Sequence, residues 1–104
     1  MITDPSTGAD LVEIRQGEQR VVVFNMSPAM SGDAIASVVQ VTANPRGLVS
    51  GSTPLGVATP IIKPDASLEL KLSGAVKGEE YDVEATVSTA TGQTVVDFFV
   101  VRGI

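Results

Sequence analysis

Ser67-Leu68-Glu69-Leu70-Lys71-Leu72 alternates polar and apolar side chains without a break, and Glu80-Tyr81-Asp82-Val83-Glu84-Ala85-Thr86-Val87-Ser88 repeats the pattern over a longer run. A period of two is the signature of a strand with one wet face and one buried face. Leu68, Leu70 and Leu72 therefore share one side of their strand, and Tyr81, Val83, Ala85 and Val87 share one side of theirs. Residues 73–78 connect the two, Thr91-Gly92-Gln93 reads as a hairpin turn, and Thr94 to Arg102 reads as the last strand.

Further strands are expected toward the N-terminus. Asp10 to Arg15 is the first, and Gln16-Gly17-Glu18-Gln19 is a turn. Arg20-Val21-Val22-Val23-Phe24 is an apolar run of strand length, followed by a loop from Asn25 to Asp33 with Ser27-Pro28 and Gly32-Asp33 as turn dipeptides. Ala34 to Ala43 follows, with Ile35, Val39 and Val41 on one alternation and Val38 on the other. Asn44-Pro45-Arg46-Gly47 has the residues of a turn, because Pro presets φ at the second position. Residues 48–60 contain Gly51, Pro54, Gly56 and Pro60, so any strand there is short or lies at a sheet edge. Ile61-Ile62 is a small apolar island. No helical period is sustained. About seven short strands with turn signals between them predict an all-β, immunoglobulin-like antiparallel β-sandwich spanning residues 10–104, preceded by a flexible arm at residues 1–9. Tyr81 opens the penultimate strand just after a connection, where such a sandwich carries a tyrosine corner whose hydroxyl bonds to nearby backbone.

The chain of 104 residues suits one domain. Twelve acidic residues outnumber seven dispersed basic ones, a balance that argues against nucleic acid and anionic membrane as partners. No apolar run is long enough to cross a bilayer as a helix, and Met1 to Ser6 lacks the features of a signal peptide. His and Cys are absent, which removes the commonest general base, the commonest metal ligands and the thiol nucleophile together. No nucleophile elbow or phosphate-binding glycine loop occurs. Glu80, Asp82 and Glu84 read as a solvated strand face. A calcium site at Glu79, Glu80 and Asp82 would lack the usual loop spacing. Asn25-Met26-Ser27 fits a glycosylation acceptor, which means little without a signal peptide. The expectation is a protein without catalytic residues, cofactor or metal.

What is present instead is excess apolar surface. The last strand is apolar on both alternations: Val96, Phe98 and Val100 on one, Val95, Phe99 and Val101 on the other. Val21 and Val23 repeat the excess opposite Val22 and Phe24. Either an added loop covers the outer faces of these strands, or Val21, Val23, Phe99 and Val101 form an apolar patch for a partner.

Phe24-Asn25-Met26-Ser27-Pro28, Ser31-Gly32-Asp33-Ala34-Ile35-Ala36-Ser37, Leu72-Ser73-Gly74, Gly78-Glu79-Glu80-Tyr81-Asp82-Val83, Val87-Ser88-Thr89, Gly92 and the terminal apolar strand are similar to short tailed-phage virion proteins described as fibre–tail adaptors. The resemblance covers roughly residues 20–102. It implies an immunoglobulin-like fold and a multi-copy, non-enzymatic virion component assembled in the host cytoplasm. Its partners would be tail or fibre proteins and copies of itself, with no cofactor or catalytic residue. Capsid decoration and a host-surface or glycan-binding module are the alternative roles.

Overall fold

The structure, a computed structural model, describes residues 2–3, 10–46 and 53–104. Nine strand segments and one helical turn occur among them: β1 (Ile2–Thr3), β2 (Asp10–Ile14), β3 (Arg20–Asn25), α1 (Ser27–Met30), β4 (Ile35–Pro45), β5 (Gly56–Val57), β6 (Ile61–Lys63), β7 (Ser67–Ser73), β8 (Glu80–Thr89) and β9 (Thr94–Gly103). They form two sheets packed face to face. Sheet A runs β1-β2-β9-β8-β4; sheet B runs β3-β7-β5, with β6 also paired to β7. The arrangement is an all-β sandwich. Apart from Ile2–Thr3, which pairs antiparallel with β2, the arm expected at residues 1–9 lies outside the described residues.

The alternating runs supply the core. Leu68, Leu70 and Leu72 of β7 are fully buried, as are Val83, Ala85 and Val87 of β8, with Tyr81 at 1% exposure. Phe24, Ile14, Met26 and Met30 complete the layer between the sheets. Each large apolar side chain removed from water stabilises the fold by about 1.5–3 kcal/mol, so these residues decide which way each strand faces.

Two bulges make β4 differ from the simple alternation. Its pairing with β8 slips between Ile35 and Ser37 and again between Val38 and Gln40. Each slip flips the residues beyond it. Ile35, Val38 and Val41 therefore pack against the core together, while Val39, expected beside Ile35 and Val41, is 62% exposed. Asn44 and Pro45, expected in a turn, extend β4 and pair with Asp82 and Tyr81. The Arg46 N–H donates to the Glu80 carbonyl at 2.8 Å and the Ala43 carbonyl accepts from Leu55 beyond the sheet. That phase points the Pro45 nitrogen at the free edge, where a missing N–H costs no ladder bond. The loop expected at Asn25 to Asp33 holds one helical turn, α1, with Pro28 in its first turn and Ser31 left-handed at its end (φ 51°).

The ends of the sandwich are tied by loops. Gly92 (φ 88°) turns the β8–β9 hairpin, whose tip is held by the Ala90 N–H on the Ala34 carbonyl and by Thr91 on the Asp33 carboxylate. At the opposite end the Gly78 N–H donates to the Gly103 carbonyl, and the Gly103 N–H to that of Glu79.

Candidate interaction surface

Sheet B presents its outer face through the residues that alternate with its core leucines. Val21 lies opposite Lys71, and Val23 opposite Glu69, which in turn pairs with Ile61 on β6. Val21, Val23 and Ile61 are 54%, 58% and 52% exposed. They flank a charged centre. Lys63 reaches Glu69 at 3.6 Å, and Lys71 has no ion-pair partner among the described residues.

Phe99 and Val101 do not join Val21 and Val23. The patch expected from the sequence is split: Phe99 (1% exposed) and Val101 (0%) point into the space between the sheets. Phe99 pairs with Val83 and packs its ring on Phe24, centroids 4.8 Å apart. The physical reason is register. The hairpin aligns Phe99 with inward Val83 and Val101 with inward Tyr81, which leaves Val96, Phe98 and Val100 on the outer face. Of these, Val100 is buried beside its parallel partner Leu11 on β2, outside the main core cluster.

Val96 (54% exposed) and Phe98 (38%) are exposed apolar residues of β9 that sequence reasoning missed. A signal for them existed. Glu80, Asp82 and Glu84 were expected to face solvent, and carrying that phase across the Thr91-Gly92 turn puts Phe98 beside Glu84 and Val96 beside Thr86. The carboxylates there are mostly held by cations. Arg46 Nε donates to Asp82 at 2.7 Å, and Arg102 lies 3.9 Å from Glu13 and 3.8 Å from Glu80. Asp82 and Glu80 are thus occupied by guanidinium groups, and no cluster of three or more metal-ligating side chains occurs among the described residues. Glu84 has no ion-pair partner there.

Between the edges of the two sheets, β4 faces the β5–β6 segment across an open cleft of about 570 Å³ lined by Val38, Val41, Val57, Pro60 and Ile62. Two further groups are structural in their contacts. The buried Tyr81 hydroxyl accepts the Val76 N–H at 3.0 Å, five residues upstream. Asp33 accepts from the Thr91 hydroxyl and from the Ala34 N–H, and hydrogen bonds from Thr91 first and Thr89 next hold its carboxyl below the usual carboxylate value.

These surfaces hold apolar side chains, isolated charges and sheet edges, which is the chemistry of protein–protein contact. Fold and surface together define a small β-sandwich with exposed apolar faces. Over residues 15–102 the chain matches the family described as podophage GP4 fiber-tail adaptor protein gp77, and it belongs to that family of phage tail–fibre adaptors. It is accordingly a structural component of the virion. No curated protein and no solved structure matches it.

Proposed function

We propose that this chain joins the tail of a podophage to its fibres as a non-enzymatic adaptor, and that the exposed face carrying Val21 and Val23 is one of its assembly interfaces. The family match carries the reading, because residues 15–102 take in every strand of both sheets except β1, β2 and the last residue of β9. Its neighbours are tail and fibre proteins and copies of itself, assembled in the host cytoplasm, with neither nucleic acid nor membrane engaged. Phe99 and Val101 serve this role indirectly, by holding the two sheets together.

An immunoglobulin-like reading of the sandwich is supported by its strand order. The first long strand pairs parallel with the last, the last three long strands of sheet A are antiparallel, and β3 pairs with β7 in the opposite sheet. Tyr81, bonded to backbone five residues upstream, supports a tyrosine corner. A glycan-recognition role has little to rest on, since Phe24, Tyr81 and Phe99 are buried and only Phe98 is partly exposed.

Electron cryo-microscopy of the particle tests the proposal. Density for this sandwich at the junction of tail and fibre is expected. The same density on the capsid shell, or at the distal tip of a fibre, would overturn it.

A further inference from the structure

We infer that the outer face of sheet B on one copy seats the outer face of sheet A on the next, giving a head-to-tail contact between copies of this chain. The inference rests on reading Val21 and Val23 as an interface and goes on to name what covers them.

The two faces are complementary in charge. On sheet B, Lys63 and Lys71 surround a single carboxylate, Glu69, which Lys63 already engages. On sheet A, four carboxylates, Glu13, Glu80, Asp82 and Glu84, face two guanidiniums, Arg46 and Arg102. After the pairings within each face, Lys71 on sheet B and Glu84 on sheet A have no ion-pair partner among the described residues. Each leftover charge sits in an apolar frame. Lys71 lies beside Val21 and near Val23 and Ile61; Glu84 lies beside Phe98 and near Val96. A like face set on a like face would bring together two surfaces with the same sign of excess charge, which is unfavourable where water is excluded. Setting one kind on the other pairs the charges and buries both apolar frames.

Two sheets meeting through their outer side chains also repeat the packing already present inside the molecule. Because the two faces differ, the contact is heterologous, and it propagates into a ring where the rotation per copy closes.

Charge reversal tests this in solution. Sedimentation velocity on the purified chain should show self-association that rises with concentration and weakens with salt. Lys71→Glu and Glu84→Lys should each weaken it by about tenfold or more. An equimolar mixture of the two variants should recover it, because every contact in an alternating assembly then joins opposite charges. Circular dichroism confirms that each exposed substitution leaves the fold intact. A wild-type chain that stays monomeric at millimolar concentration, or a mixture no stickier than its components, would overturn the inference. Location at the tail–fibre junction as isolated single copies would overturn it too, while leaving the adaptor role standing.

Discussion

Replacing Phe99 with Ala separates core from surface in one measurement. The ring is 1% exposed, lies between the sheets, and packs on Phe24 at 4.8 Å between centroids with the planes tilted by 54°. Truncating a buried Phe to Ala costs about 3–5 kcal/mol through lost burial and the cavity left behind. Loss of the tilted aromatic pair, about 0.5–1.5 kcal/mol, falls within that sum. Domains of this kind are stable by about 5–15 kcal/mol, so Phe99→Ala should remain foldable but only just. With a urea slope of about 1.5 kcal/mol per molar, a loss of about 4 kcal/mol moves the unfolding midpoint down by about 2.5 M. Val23→Ala, at a site 58% exposed, should cost less than about 1 kcal/mol. Urea titrations followed by far-ultraviolet circular dichroism give both numbers. Equal midpoints for Phe99→Ala and wild type, or a larger loss for Val23→Ala, would refute the facing assigned to β9 and β3.

Three more outcomes are expected. Gly103→Ala should destabilise by about 2 kcal/mol or more in the same titration, because a Cβ at this last residue of β9 would lie 1.9 Å from the Val76 carbonyl oxygen, and the residue is fixed by backbone bonds from Gly78 and to Glu79. Tyr81→Phe should cost about 1–2 kcal/mol by leaving the Val76 N–H without its acceptor; an unchanged midpoint would mean water replaces the hydroxyl freely. Asp33 has a lowered pKa through its bonds from Thr91 and Thr89, so its contribution is full above the ordinary carboxylate pKa and disappears as pH falls through the depressed folded value. Asp33→Asn should therefore flatten the fall in urea midpoint below about pH 4, and two parallel curves across that range would show that the carboxylate does not act this way.

Where strands have one wet face, their orientation was legible from residues alone. Leu68-Leu70-Leu72 and Tyr81-Val83-Ala85-Val87 declare their inward side because the other side is polar. β9 does not, since it is apolar on both sides, and its facing comes from its hairpin partner. Leu11 explains part of that excess: β2 lies parallel alongside β9 and shelters Val100 on the outer face. In β4 the obstacle was different, because a bulge is one extra residue with no sequence mark, and two of them reset the alternation within five residues. Pro45 looked like a turn residue because its edge position is a property of the sheet. Of the candidate surface, Val21 and Val23 were legible because β3 has inward Phe24 to fix its phase; Ile61 was visible only as an apolar island.

The parallel pairing of β2 with β9 bears on how the molecule carries tension. Both strands run the same way, with Leu11 beside Val100 and Ile14 beside Gly103. A pull entering at Asp10 and leaving at Ile104 would slide these strands lengthwise past each other, loading all the rungs between them at once instead of peeling them singly. That geometry resists rupture along the line from Asp10 to Ile104.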